Sequence, residues 1–301
     1  VWIYDNLCYG HRRAALPGRL IVGSLAEQER LAEVLRDKQI EAVMHFAAFA
    51  YVGESVQDPA KYYQNNVVGS LSLLEAMRIA GVRRIVFSST TATYGVPERI
   101  PITEDESQQP INPYGFSKLV IERALADYAR AYGFAYAALR YFNAAGASPD
   151  GSLGEDHDPE THLIPIVLSV ALGRRESVTV FGNDYPTPDG TCIRDYVHVD
   201  DLGRAHILAL DHLEAGQGLL LNLGTGRGAS VQEVIDACRR ATGHEIPAVV
   251  GSRRDGDPPE LVADSTRAQR LLGWQPEYTT IDQIVDTAWN WHRSHPGGYG
   301  D

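Results

Sequence analysis

Cysteine is scarce in this chain. There are three in 301 residues, Cys8, Cys192 and Cys238. They are far apart, odd in number and without a CxxC pair, so neither a disulfide framework nor a zinc site is expected. A reducing, cytoplasmic setting suits them. Basic charge is short as well: 27 Lys and Arg stand against 39 Asp and Glu, for a net charge of −12. That deficit argues against a nucleic-acid binder or a basic membrane-surface protein, since both need a cationic face to meet phosphates. Any anionic ligand must therefore be met by a local cluster of Arg or Lys. Long apolar runs are missing too. The best stretch, 163–172, falls below the roughly 18 residues of a spanning helix and carries Pro165. Nothing at the front resembles a signal peptide. Methionine is limited to Met44 and Met77, and the chain opens on Val1 directly into a strand-like run. A processed or incomplete chain is expected on that ground.

The rest is ordinary globular composition, 44% hydrophobic and 22% charged, which excludes disorder and collagen. Short β-branched or aromatic runs alternate with longer amphipathic stretches through the first half. Residues 1–5, 19–22, 42–48, 84–89 and 136–143 read as strands, and 27–38, 59–80 and 113–132 as helices. The run RIVFSS at 84–89 is apolar on successive residues, as expected of a parallel strand covered on both faces. Repeated strand–helix units with right-handed crossovers predict an α/β fold with a doubly wound parallel sheet. From residue 146 the rhythm changes to turns rich in Gly, Pro and Asp, which predicts a smaller mixed α/β region whose loops bind substrate. Residues 195–199 and 219–223 read as short strands returning to the first sheet. The expected division is 1–145, with elements of 195–223, for one domain, and 146–194 with 224–301 for the other.

Two local patterns suggest chemistry. Asp5 ends the first strand, where an acidic residue in a dinucleotide-binding fold accepts hydrogen bonds from the adenosine ribose. As a simple strand-end turn, Asp5-Asn6 reads equally well. The glycine fingerprint belonging to that fold lies about 20 residues earlier, which here falls before Val1. The chain is thus expected to be short by one βα unit and its sheet to lack a central strand. The second pattern is Tyr114-Gly115-Phe116-Ser117-Lys118, placed just after Pro113 at a predicted helix start. A four-residue spacing puts both side chains on one helix face, and an ammonium near a phenol lowers its pKa and makes it a usable base. Alone, this spacing is weak and a solvated helix face accounts for it. It gains weight from Ser88, Ser89, Thr90 and Thr91, which end the strand before it, where α/β active sites form.

With Asp5-Asn6-Leu7, His45-Phe46-Ala47-Ala48, Val52-Gly53-Glu54-Ser55, Asn65-Asn66-Val67, Ser88-Ser89-Thr90 through Tyr94-Gly95, and the Tyr114 to Lys118 motif, the sequence resembles the UDP-glucose (UDP-galactose) 4-epimerases of the extended short-chain dehydrogenase/reductase family. The likeness continues through Leu139-Arg140-Tyr141-Phe142-Asn143, Phe181-Gly182-Asn183-Asp184-Tyr185, Gly190-Thr191, Arg194 to Val199, Asn222-Leu223-Gly224 and Arg253 to Asp257, ending at His295-Pro296. It covers essentially the whole chain.

The resemblance implies a Rossmann-type domain, bound NAD, a UDP-hexose substrate, a homodimer formed through the helices 59–80 and 113–132, and no metal. It makes Tyr114 the base on the sugar 4-hydroxyl, Thr90 its hydrogen-bonding partner, and Lys118 the residue that holds the nicotinamide ribose and lowers the tyrosine pKa. Asp5, Asn6, Ser24, Leu25, Phe46, Ala47, Ala48, Asn66, Ser88 and Tyr141 fall to the cofactor. Asn143, His162, Leu163, Phe181, Arg194, Arg254, Asp257 and Leu261 fall to the substrate, with two guanidinium groups against a diphosphate. Phe181 also reads as an ordinary core aromatic, and Arg194 or Arg254 as a surface partner of Asp195 or Asp255.

Departures from the family pattern sharpen these expectations. Ser24 replaces an Asp that contacts adenine in many relatives, Ala50 replaces a Lys found in some, and His162 replaces an Asn. Leu261 stands where some members carry Tyr, which opens room for an N-acetylated sugar. A 4,6-dehydratase would need carboxylates after the catalytic hydroxyl, whereas Thr90 is followed by Thr91-Ala92-Thr93-Tyr94. Epimerases of UDP-N-acetylhexosamines, UDP-glucuronate or UDP-pentoses remain as alternatives. So does a non-catalytic scaffold lacking the cofactor loop.

Overall fold

The computed structural model describes residues 1–254 and 257–300. Asp255 and Gly256, part of the Arg253 to Asp257 motif, lie outside the described residues. Four parallel strands form the main sheet in the order Ala42–His45, Arg84–Thr90, Ala135–Tyr141 and Gly218–Leu223. The strand Arg84–Thr90 is buried along nearly its whole length because helices cover both faces of the sheet. On one face, Leu31 and Leu35, Leu74 and Met77, and Ile121 and Leu125 come from three helices to form one apolar cluster. On the other, Ala205 and Ala209 of the helix Val199–Asp211 pack with Leu221, Leu272 and Trp274. This is the doubly wound arrangement expected. Ile3–Asp5 and Leu20–Val22 form a separate parallel pair, joined to the first cluster through Tyr4.

The later residues build a second layer. Ile193–His198 lies between Gly228–Ser230 and Glu260–Leu261 and also pairs with Asn143–Ala145. Val178–Phe181 pairs with Ala248–Gly251. The helices Leu163–Ala171, Val231–Thr242 and Ile281–Ser294 enclose the apolar cluster of this region. None of the described helices is long and apolar enough to cross a membrane.

The structure corrects several sequence expectations. Residues 219–223 do join the main sheet, but Ile193–His198 does not, because its edges are taken by the short strands around it. Residue 199 then opens a helix, with the His198 side chain accepting from the Asp200 N–H. The first strand begins at Ile3 and the third ends at His45. The fifth breaks at Phe142, so Asn143 starts a new strand in register with Tyr196. The helix expected over 59–80 divides into Pro59–Tyr62, a π-helical turn Tyr63–Val68 and Gly69–Ala80. Such turns recur at functional positions, and here the turn carries Asn66.

Candidate active site

The helix Pro113–Tyr132 starts where it does for local reasons. Pro113 occupies its first turn, and the Asn112 side chain caps it by accepting from the Gly115 N–H at 2.8 Å. Gly115 is required by close packing: a Cβ there would lie 2.5 Å from the Ala92 carbonyl oxygen. Its absence lets the helix start press against the turn Thr91–Thr93, whose own cap is Thr90. Tyr114 is thereby held at the end of the strand Arg84–Thr90, with Thr90 near enough to favour the ionised form of its hydroxyl.

Tyr114, Thr90 and Lys118 thus come together as expected, but their electrostatics differ from the expectation. Lys118 is 2% exposed. Its ammonium donates to the Ser88 carbonyl at 2.7 Å and stands 5.9 Å from the centre of the Tyr114 ring. Burial pushes Lys118 down to about 7, with Glu122 pulling the other way. Burial also pushes the Tyr114 hydroxyl up, nearby Tyr141 adds to the rise, and Thr90 opposes it. The expected lowering by Lys118 is absent: Lys118 is not among the groups that shift the tyrosine, whose own burial is the largest influence. Ser88 and Tyr141 share a short hydroxyl–hydroxyl bond beside this group.

Beneath it lies a polar network that sequence reasoning passed over. Glu122 is 4% and Arg140 1% exposed, and they pair through two bonds, Nε to Oε1 at 2.9 Å and Nη2 to Oε2 at 2.6 Å. Glu122 also accepts from Ser89 and Gln108. Arg140 donates to the Tyr94 hydroxyl at 2.7 Å, and Tyr94 donates to Asn222. The signal was present: Tyr114, Lys118 and Glu122 continue one helix face at four-residue steps. Ser89 and Arg140 also face each other in the sheet register.

The substrate-side residues divide in two. Leu163, Phe181, Arg254 and Asp257 line a pocket of about 330 Å³. Phe181 is 40% exposed, not a core residue, and the Arg254 guanidinium lies 4.0 Å above its ring. Arg194 lies outside this lining but is tied to it by its ion pair with Asp257. The alternative pairing with Asp195 is excluded, since that buried carboxylate accepts from Thr225, Gly226 and Ala263. Leu261 pairs with Arg194 in register. His162 stands at the N-cap position of the helix Leu163–Ala171 without a side-chain cap bond, and its Nδ1 faces Glu155 and Glu160.

On the other side of the sheet ends, Asp5 accepts from the Leu7 N–H at 2.7 Å, and Asn6 from the Cys8 N–H at 3.0 Å. Ser24 forms a turn with Glu27, and Leu25 is half-buried beside it. Phe46 is 54% exposed and leans on His206, while Ala47 is exposed and Ala48 half-buried. Asn66 is fully buried, and its amide is engaged by both backbone groups of Phe49 and by Ser117. Toward a ligand it can act only through the Phe49 loop it fixes. An acidic strand end and exposed small and aromatic residues at the next strand end, beside a lysine and hydroxyls, make a donor set that fits a dinucleotide.

Comparison with known proteins agrees with this geometry. A sequence model described as the NAD dependent epimerase/dehydratase family matches residues 1–224. The UDP-glucose 4-epimerase of Lacticaseibacillus casei is 52% identical over 303 residues, covering 100% of this chain and 92% of that protein. The crystal structure of UDP-glucose 4-epimerase from Brucella ovis in complex with NAD superposes with a TM-score of 0.92 at 55% identity, over 95% of this chain and 88% of that one. The enzyme from Bifidobacterium longum, in complex with NAD+ and UDP, gives a TM-score of 0.93 at 39% identity, over 98% and 91% of the two chains. With a family match over most of its length and relatives at half identity throughout, the chain belongs to the NAD dependent epimerase/dehydratase family.

Proposed function

We propose that this chain interconverts UDP-galactose and UDP-glucose by transient oxidation at the sugar C4, with Tyr114 as the acid–base group. The observation that carries this reading is the half-buried Tyr114 beside buried Thr90 and Lys118 at a strand end, in a chain about half identical to UDP-glucose 4-epimerases. Bound NAD supplies a reversible hydride acceptor. The protein's part is to take the 4-hydroxyl proton at the Tyr114 oxygen, return it there, and keep the phenol oriented through Thr90. Asp5, Asn6, Ser24, Leu25, Phe46, Ala47 and Ala48 would hold the adenosine side. Ser88, Lys118 and Tyr141 would hold the nicotinamide end, with Asn66 fixing the loop between. A cation placed beside Tyr114 by the cofactor would offset the burial that keeps the phenol protonated.

Inversion needs a nucleotide held firmly and a hexose held loosely. Arg254, Arg194 and Asp257 serve the first need, with Phe181 bordering the base and Asn143, His162 and Leu163 nearby. Leu261, smaller than Tyr, leaves room for an N-acetylated sugar. The helices around 59–80 and 113–132 expose Tyr63, Val68, Leu71, Ile79 and Phe116, an apolar face suited to a homodimer. Three free cysteines, two of them buried, suit the cytoplasm. The test is a coupled assay of UDP-galactose conversion to UDP-glucose by the purified protein, without and with added NAD. Conversion supports the reading; none in either condition, from folded protein, overturns it.

A further inference from the structure

Two Glu-x-His pairs, Glu155/His157 and Glu160/His162, sit five residues apart in the loop before the helix Leu163–Ala171, and the fold closes them onto each other. One ligand atom from each of the four lies within 4.8 Å of the other three. His162 Nδ1 stands 2.8 Å from Glu155 Oε1 and 2.9 Å from Glu160 Oε1. His157 Nδ1 stands 3.2 Å from Glu155 Oε1 and 3.7 Å from Glu160 Oε2. A tetrahedral shell with metal–ligand bonds of about 2.0–2.1 Å puts its ligand atoms roughly 3.3–3.4 Å apart, close to these separations.

Two further observations point to a ligand. His157 Nδ1 is sealed from solvent and has no well-aligned hydrogen-bond partner among the described residues, only its ion-pair contacts with Glu155 and Glu160. The Tyr51 hydroxyl is sealed and has no hydrogen-bond partner among the described residues, on a residue 9% exposed, and its ring packs against both imidazoles, 6.2 Å from His157 and 6.4 Å from His162. Buried polar atoms normally find partners, so an unpartnered hydroxyl and a poorly aligned imidazole nitrogen around one cluster mark a group that completes them. The surrounding backbone is held independently: Trp291 donates to the Glu155 carbonyl and the Tyr299 N–H to the Asp156 carboxylate.

We infer that Glu155, His157, Glu160 and His162 form a divalent metal site of the zinc class, with the Tyr51 hydroxyl at its edge. Two imidazoles and two carboxylates suit Zn²⁺ over Mg²⁺ or Ca²⁺, which prefer all-oxygen shells. The ion would be structural. Glu160 also lines the pocket shared by Leu163, Arg254 and Asp257, so the metal would fix that wall. No metal was expected from the sequence, since that expectation rested on the scattered cysteines and on the family resemblance, and neither weighs a His/Glu site.

The experiment uses the full-length protein, stripped with a chelator and titrated with Zn²⁺ or Co²⁺ alone. One equivalent should bind, with the visible absorption of a tetrahedral Co²⁺ complex. His157→Ala and, as a milder change, Glu155→Gln should each weaken binding at least about 10-fold, beyond what loss of an outer-shell partner alone sets as a floor. His244→Ala, remote and exposed, should leave it unchanged. No stoichiometric uptake by folded protein, or uptake unaltered in both His157→Ala and Glu155→Gln, would overturn the assignment and leave the four groups as an ion-pair cluster.

Discussion

Around Thr90 and Tyr114 the polar groups are mostly buried and supplied by three regular elements: the strands Arg84–Thr90 and Ala135–Tyr141 and the helix Pro113–Tyr132. Around Arg254 and Asp257 the charges are more exposed and sit in the loop segments flanking the short strand Glu260–Leu261. The first region fixes geometry by packing, since Gly115 seats the helix start on Ala92 and the Glu122–Arg140 pair ties that helix to the strand Ala135–Tyr141. The second supplies charge where the chain as a whole is acidic, and Arg194 is already balanced by Asp257. A site that moves a proton needs the first kind of construction, and one that captures and releases a diphosphate is served by the second.

That contrast can be broken experimentally. The largest effect belongs to Tyr114→Phe, which should lower turnover by about 10²–10⁴-fold, the usual contribution of a positioned acid–base group. Next is Glu122→Gln, which leaves Arg140 charged, buried and unpaired. Loss of one partner of a buried pair costs about 3–5 kcal/mol, so denaturant melts should show a large fall in midpoint with the slope kept. Arg254→Ala should be milder, raising the Kd for UDP by roughly 10–100-fold, about 1.4–2.8 kcal/mol, with unfolding little changed, as calorimetry on the same sample would show.

Smaller still is a pH effect. Lys118 falls from 10.5 to about 7 on folding, so above pH 7 the unfolded chain binds more protons than the folded one. Its burial penalty is full below pH 7 and is relieved as pH rises toward 10.5, by at most about 1.4 kcal/mol per pH unit. Stability measured from pH 7 to 9 should therefore rise more steeply in the wild type than in Lys118→Met. Equal slopes would show that the ammonium is not desolvated. The smallest change concerns sugar scope: Leu261→Tyr should depress turnover of UDP-N-acetylglucosamine relative to UDP-galactose, by a few-fold in kcat/KM.

The buried region was the more legible in sequence, because helix and strand periodicity carry spatial information. RIVFSS announced a covered parallel strand, and Tyr114 to Lys118 announced a shared helix face. What escaped there was the network linking Glu122, Arg140 and Tyr94, which is formed between elements whose register no single segment reveals. The electrostatic balance escaped as well, since spacing places Lys118 near Tyr114 but says nothing of how deeply both are buried. In the looped region the resemblance supplied residues, yet the strand expected at 195–199 was assigned to the wrong sheet, because a six-residue strand such as Ile193–His198 does not encode its neighbours. The closing of Glu155, His157, Glu160 and His162 onto one point had a sequence trace in its repeated Glu-x-His spacing. Only the folded loop turns that spacing into a cluster.

The separation of chemistry from binding is tested most directly by measuring UDP-galactose turnover and UDP affinity on the same preparations of Tyr114→Phe and Arg254→Ala. The account predicts that Tyr114→Phe loses turnover while its Kd for UDP stays within about threefold of the wild type, and that Arg254→Ala loses affinity while keeping most of its kcat. Near-normal turnover in Tyr114→Phe, or loss of both properties together in each variant, would contradict it.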